Sequence, residues 1–422
     1  MKSFYQNYAF LSFVLLLLFS SCKSWVHYEG NRKWAKRIAK SEVFKKGSTG
    51  FALYDLEKKK LISQYRGDQG FTPASNTKLF TVFAGLETFG NEIPVIQYQV
   101  ERDTLHLYPI GFPGIHYVNE SGMRTLDSLA AHYDLPIQMH LADDNLAPYG
   151  PGWAWDDSGY IWQAPRTTFP IYGNSLRRLP DSTFISLDSI AVSAPNFEVA
   201  LNAQIEKQIN PKTRLFPFYP DSLYLKNSLK FSQELQIIVE GEQKPNASLE
   251  SIYVDAIPFY KGILEDSDNF LSEQLLIMAS KIQGNTWNID SLISSYNSRL
   301  DRGKYFRWVD GSGLSRYNSF SPLQIVFLLE KMIQNHKEEL ILEILPEGAK
   351  EGTIRRHYSS LPPGTLYAKT GSLTGVHCLS GILKTRKGKT MAFSFMHNQI
   401  PGGNITWKKE MEKVLLEIHS SY

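Results

Sequence analysis

The chain predicts a mixed α/β (α+β) fold: an antiparallel sheet flanked by helices, built from both chain ends and interrupted by a β-rich insertion. Three observations carry this. Two strand-like runs at residues 50–56 and 61–65, joined by the charged turn Glu57-Lys58-Lys59-Lys60, precede a strongly apolar helix. Three further strand candidates at 366–372, 376–384 and 390–397 are separated by turn residues such as Arg386-Lys387-Gly388, and an amphipathic helix at 407–418 closes the chain. Between these ends, roughly residues 94–245 alternate short strand-like pieces with proline- and glycine-rich connections, without a repeat or low-complexity tract.

Taken in order, the first stretch is a targeting segment. Lys2 precedes an apolar run over residues 10–19, a length that suits a signal peptide and is short for a membrane span. It ends in Phe19-Ser20-Ser21-Cys22, which resembles a bacterial lipoprotein signal and makes Cys22 the expected lipidated first residue of the mature protein. The chain is therefore expected to be exported to the periplasm and tethered to a membrane through that lipid. Cys378 is the only other cysteine, so no internal disulfide is expected, and its apolar surroundings suit a small core residue.

Residues 30–44 read as an amphipathic helix through Trp34, Ile38 and Val43. The apolar helix after the first strands ends near Gly90, a C-cap signal. Within the insertion, strands are expected at 95–101, 104–107, 184–192 and 235–240. Helical periodicity returns at 270–282 and 323–333, with the two-glycine loop Asp310-Gly311-Ser312-Gly313-Leu314-Ser315 between them. The expected division is a signal segment at 1–22, a discontinuous unit at 23–93 plus 246–422, and an inserted unit at 94–245. At 422 residues the chain is long enough for this. A formal net charge of +3, with no basic run interleaved with aromatics, argues against nucleic acid.

The chemistry centres on Phe71-Thr72-Pro73-Ala74-Ser75-Asn76-Thr77-Lys78-Leu79-Phe80. On a helix Ser75 and Lys78 lie one turn apart on one face, and the free N–H groups at a helix start favour a developing negative charge. The plain alternative is an N-cap serine with a surface lysine, and a second Ser-x-x-Lys at Ser20–Lys23 shows how little the spacing means alone. Two more motifs change that. Ser267-Asp268-Asn269 heads the 270–282 helix, and Lys369-Thr370-Gly371-Ser372 ends a strand. Each could be a cap or a turn by itself. In this order they form the signature of penicillin-binding proteins and class A β-lactamases. The residue types fit acyl transfer. Ser75 attacks a carbonyl, Lys78 takes its proton, and Ser267 passes a proton to the leaving amine. Asn269 orients Lys78 and the substrate amide. Lys369 supplies positive potential for a substrate carboxylate and depresses the Lys78 amine. The N–H groups of Ser75 and Ser372 suit an oxyanion hole.

The chain resembles the D-Ala-D-Ala carboxypeptidase/endopeptidase family, the class C low-molecular-mass penicillin-binding proteins. Besides the three motifs, the resemblance rests on Gly152-Trp153-Ala154-Trp155-Asp156-Asp157, on the Asp310–Ser315 loop, on Glu351-Gly352-Thr353-Ile354 and on the long insertion itself. It departs at Tyr108-Pro109-Ile110-Gly111-Phe112-Pro113-Gly114, where the family has a Gly-Ser-Gly-Asp-Pro-like stretch, and the insertion is short for the family. The resemblance implies a penicillin-binding-protein/β-lactamase-like transpeptidase fold and a cofactor-free serine D-Ala-D-Ala carboxypeptidase or D,D-endopeptidase acting on peptidoglycan stem peptides. It implies β-lactams as inhibitors, Thr370, Gly371 and Ser372 as substrate contacts, and a diaminopimelate pocket formed by Asp157, Trp162 and Arg316. A β-lactamase and an idle, lipid-anchored wall-binding protein are the competing readings.

Overall fold

The computed structural model describes residues 32–142, 146–157, 159–179, 184–186, 191–192, 215–240, 249–300 and 306–422. The expected signal segment and Cys22 lie outside them.

The N-terminal part comprises α1 (Arg32–Ala39), β1 (Ser48–Asp55), β2 (Lys60–Tyr65) and α2 (Lys78–Phe89). The middle of the chain contributes β3 (Glu92–Glu101), β4 (Thr104–Tyr108), α3 (Ser121–Tyr133), β5 (Ile137–Ala142) and β6 (Ser175–Arg178). It continues with β7 (Phe184–Ser186), β8 (Ala191–Val192), β9 (Leu215–Pro217), α4 (Ser222–Ser228), β10 (Leu235–Glu240) and β11 (Glu250–Asp255). The C-terminal part runs through α5 (Ile257–Leu264), α6 (Asn269–Gly284), α7 (Ile289–Leu300), α8 (Pro322–Asn335) and α9 (Glu338–Ile344). It ends with β12 (Leu366–Leu373), β13 (Val376–Lys384), β14 (Thr390–Asn398) and α10 (Ile405–Ser421).

Both chain ends form one five-stranded sheet in the order β12-β13-β14-β1-β2, antiparallel throughout. The three central strands, β13, β14 and β1, are buried on both faces, which explains their nearly unbroken apolar runs. Residues of one parity (Phe51, Leu53, Leu379, Phe393, Phe395) pack with Trp34, Ile38, Trp407, Met411 and Leu415 of α1 and α10. The opposite parity (Ala52, Tyr54, Cys378, Ile382, Met396) faces the larger core containing α2, α6 and α8. Each fully buried Phe or Leu in such a layer contributes roughly 1.5–3 kcal/mol relative to exposure. Cys378 is, as expected, a buried free thiol in this core.

The middle of the chain is less uniformly β than expected. It forms a sheet ordered β10-β5-β4-β3-β11 and a smaller one ordered β8-β7-β6-β9, but it also holds α3, whose Met123, Leu126, Leu129 and Ala130 are buried. The larger sheet is mixed, because β5 pairs in parallel with both β4 and β10. Its outer pairing joins β3 to β11, so this sheet begins at Glu92 and ends at Asp255, slightly beyond the expected 94–245. The apolar 270–282 stretch extends into α6, and the 323–333 stretch into α8, whose Ser321 and Gln324 form a capping box behind Pro322. Among the described residues no helix is long and apolar enough to cross a membrane.

Candidate active site

Ser75 lies in a 3₁₀ turn, Ala74–Thr77, that runs directly into α2 at Lys78. The helix itself thus starts three residues later than the apolar pattern suggests, but the spacing keeps its effect: Lys78 Nζ is 3.1 Å from Ser75 Oγ. Ala74 holds the turn in a left-handed backbone conformation (φ 48°), which costs an L-residue roughly 1–2 kcal/mol and needs packing to hold it. That packing is the Asp310–Ser315 loop. A Cβ on Gly313 (φ +83°) would lie 2.0 Å from the Ala74 carbonyl oxygen, so only glycine permits this approach.

Lys78 is fully buried. Its Nζ donates to Asn269 Oδ1 and to the Ser312 carbonyl, both at 2.6 Å. Two carbonyl oxygens therefore take two N–H bonds, and the third direction faces the Ser75 hydroxyl. Burial pulls the Lys78 amine down to about 8, against the opposing pull of Asp310, Asp268 and Glu273. Asn269 is held in the orientation this requires, because its Nδ2 donates to the Trp162 carbonyl at 2.7 Å. Asn269 opens α6, and the helix is capped by Asp268, which accepts from Leu271 N at 2.9 Å and from the Tyr117 hydroxyl at 2.5 Å. Ser267, just before the cap, sits at φ 62°, another left-handed residue at the site. Its hydroxyl has no hydrogen-bond partner among the described residues, and it borders the cleft with Ser75.

The third motif comes from β12, the edge strand of the main sheet. Asn76 Nδ2 donates to the Lys369 carbonyl at 3.0 Å, and a Cβ on Gly371 would fall 2.4 Å from Pro73 O and 3.1 Å from Ser75 N. The glycine thus lets the strand edge press against the Ser75 turn, bringing Ser372 to the cleft. Lys369 is buried with its Nζ on the Thr370 carbonyl at 3.0 Å. Burial and then Lys78 push Lys369 well below the usual lysine value, with Asp266 opposing. Burial is thus the largest influence on both lysines.

A cleft of about 400 Å³ brings Ser75, Ser267, Asn269 and Ser372 together with Asp157, Trp162 and Arg316. Trp162 is 43% exposed and stacks on Tyr160 at 4.0 Å, so it offers an apolar wall. Among the described residues no ion pair joins Asp157 to Arg316. The Arg316 backbone N–H donates to Gly152 O at 3.1 Å, tying the two segments together.

Sequence reasoning missed the buried acids behind Lys78. Glu273 Oε1 accepts from Ser312 N at 2.7 Å, and its other oxygen is 3.6 Å from Arg166. Burial and nearby Asp310 push Glu273 up to about 7. Asp310 gathers the Gly313 and Ser315 backbone N–H groups and the Trp153 and Asn318 side chains, all within 2.9 Å. A Glu four residues after Asn269, on the buried first turns of α6, was the available signal for Glu273.

The fold and site define a class: a penicillin-binding-protein-like scaffold that brings Ser-x-x-Lys, Ser-x-Asn and Lys-Thr-Gly motifs together at one cleft. The chain belongs to the D-Ala-D-Ala carboxypeptidase 3 (S13) family, which it matches over residues 31–103 and 250–417. It is 27% identical over 159 residues to D-alanyl-D-alanine carboxypeptidase DacB of Haemophilus influenzae, covering 35% of this chain and 33% of that protein. It is 33% identical over 104 residues to penicillin-sensitive carboxypeptidase A of Dictyostelium discoideum, covering 23% of this chain and 20% of that one. The matched stretches thus span a third or less of these two curated relatives. The fold is similar to penicillin binding protein 4 (dacB) of Haemophilus influenzae, with TM-score 0.65 and 18% identity over 89% of this chain and 97% of that one. It is also similar to the Bd0816 predatory endopeptidase of Bdellovibrio bacteriovorus, with TM-score 0.50 and 15% identity over 88% and 92% of the two chains.

Proposed function

We propose that this chain hydrolyses the terminal D-Ala-D-Ala amide of peptidoglycan stem peptides, and D,D-cross-links of the same stereochemistry, through an acyl-enzyme on Ser75. The observation that carries this is the Lys78 coordination. With two N–H bonds fixed on carbonyl oxygens, the neutral amine aims its lone pair at Ser75. Ser75 Oγ attacks the carbonyl carbon and its proton passes to Lys78. Ser267 gives its proton to the leaving nitrogen as the C–N bond breaks, and is re-protonated from Lys78. Water then replaces the amine and attacks the ester carbonyl, Lys78 takes its proton, and Lys78 returns that proton to Ser75 Oγ as the ester bond breaks. The backbone N–H groups of Ser75 and Ser372 receive the oxyanion. The family and the DacB relative support this choice of substrate.

The β-lactamase reading needs a general base for fast deacylation. Glu273, the buried acid one turn into α6, accepts from Ser312 N, lies 3.6 Å from Arg166 and lines no part of the cleft, which disfavours that role. A β-lactam should therefore acylate Ser75 and stay. In the same reading, Asp157 and Arg316 meet the ammonium and carboxylate of a diaminopimelate side chain while Trp162 covers its methylenes. The two-sheet insertion between β3 and β11, which shares a core with α2 and α6, holds more distant parts of the peptidoglycan, and Cys22 tethers the exported protein to a membrane. Intact-mass measurement after benzylpenicillin, with peptide mapping, tests the nucleophile, and D-alanine release from a pentapeptide tests the reaction. Wild type should gain one adduct on Ser75 and Ser75→Ala none; label on another serine, or no D-alanine release, would refute the assignment.

A further inference from the structure

The net charge of +3 is spread unevenly over the fold. The turn between β1 and β2 carries Lys58, Lys59 and Lys60, all exposed, and the turn between β13 and β14 carries exposed Arg386 and Lys387. These turns are neighbours, because β1 pairs with β14 with Asp55 opposite Met391, and Lys389 Nζ reaches Asp55 at 3.7 Å. The start of α1 and the end of α10 come to the same place. Lys33 Nζ donates to Ser421 Oγ at 3.0 Å, Trp34 Nε1 to the Tyr422 hydroxyl at 3.4 Å, and the Lys387 backbone N–H to Tyr422 O at 2.9 Å. Exposed Arg32 opens α1 beside them.

Opposing charge at this end is small. Asp55 is buried, Glu417 is paired with Arg37 at 2.9 Å and Glu338 with Lys384 at 3.4 Å, which leaves Glu57 as the exposed acid of the two turns. Among the described residues no carboxylate lies within ion-pair reach of Lys58, Lys59, Lys60 or Arg386. The Ser75 cleft lies at the other end of the same strands. Ser372 is opposite His377, and from His377 to Lys384 β13 runs roughly 23 Å at ~3.3 Å per residue. The chain enters the fold at the basic end, through Arg32, and the stretch from Cys22 to Arg32 reaches at most about 35 Å even when fully extended. A lipid on Cys22 would keep this end within that distance of a bilayer. Clustered Lys and Arg are attracted to anionic headgroups over about a Debye length, ~8 Å at physiological salt.

We propose that this basic end of the main sheet is a docking surface for a bilayer bearing anionic phospholipid headgroups. Docking there turns the Ser75 cleft away from the membrane. The proposal rests on the reading of Cys22 as the lipidated residue of an exported protein. In the test, the chain from Cys22 onward, prepared without lipid and containing every described residue, is titrated with vesicles of phosphatidylcholine, alone or mixed with phosphatidylglycerol. Wild type should bind only the mixed vesicles, and high salt should release it. Lys58→Glu/Lys59→Glu/Lys60→Glu should weaken that binding at least about tenfold, and Arg386→Glu/Lys387→Glu, in the neighbouring turn, should weaken it likewise. Lys45→Glu/Lys46→Glu/Lys409→Glu makes the same charge change at the opposite end of the sheet and should stay within about twofold of wild type. All these side chains are exposed, so an unchanged Tm checks that each variant is folded. Equal losses in the two triple variants would make the attraction one of net charge and overturn the surface, as would a wild type that binds neither vesicle. Because the vesicle assay uses unlipidated chain, it is separate from the Cys22 reading: intact mass showing an unmodified Cys22 in cells would end that reading and leave the vesicle result standing.

Discussion

Lowering the pH protonates Lys78, and the rate at which Ser75 is acylated should fall in step. Lys78 is drawn down to about 8, chiefly by burial. About one site in ten is then neutral at pH 7 and about one in a hundred at pH 6, so each unit below 8 removes roughly a factor of ten, or about 1.4 kcal/mol of apparent barrier. Stopped-flow acylation by a fluorescent penicillin between about pH 6 and about pH 9 reads this limb directly. Glu273→Gln supplies the second arm. Glu273 raises Lys78 and is itself pushed up to about 7, so it carries charge over the upper part of the limb. Without that charge Lys78 drops further, and the limb should move to lower pH. Glutamine can still accept from Ser312 N, but Arg166 loses its counter-charge and the Tm should fall. Rates normalised to the high-pH plateau separate the two effects. Between the ordinary glutamate value of 4.5 and about 7 the folded chain holds a proton that the unfolded chain has released. Glu273 therefore makes wild type less stable as pH rises through that window, and the variant should lose this slope. A flat acylation profile between pH 6 and 8, or a variant limb displaced upward, would refute the lysine-base account.

Gly313→Ala should cost acylation at least about tenfold and lower the Tm, because a methyl 2.0 Å from Ala74 O displaces the loop that supplies the Ser312 carbonyl; normal acylation kinetics would refute the fit. Arg316→Ala should lower kcat/KM on diaminopimelate peptides by at least roughly tenfold while sparing small thioesters. Equal losses on both substrates would make Arg316 a support for the loop. Cys22→Ala protein should leave the membrane fraction on cell fractionation, and a distribution like wild type would end the lipoprotein reading.

What could be read in advance was what the chain encodes locally. Ser75 and Lys78 are three residues apart and their contact follows from helical pitch. The doubly buried strands announce themselves as apolar runs, so β13 falls where its pattern places it. The helix α3 escaped because only Met123, Leu126, Leu129 and Ala130 mark its inner face among Ser, Arg, Asp and His. Parallel pairing of β5 escaped because partners of short strands are chosen by closure of the whole unit. Within the site, the carbonyls of Ser312 and Trp162 do as much as any named side chain, and a backbone carbonyl leaves no trace in residue identity.

The bonds that assemble this centre also set when it comes into being. Lys78 meets Asn269 across 191 positions and Ser312 across 234, while Asn76 holds Lys369 across 293. Contacts of such separation form late, after much loop-closure entropy has been overcome. Before then, the serine has no poised base and the lysine, still in water, keeps its ordinary charge. On the acyl-enzyme reading, a chain threaded unfolded through a membrane would be chemically silent on the way, and Ser75 would gain its base only when the last strand edge closes over it.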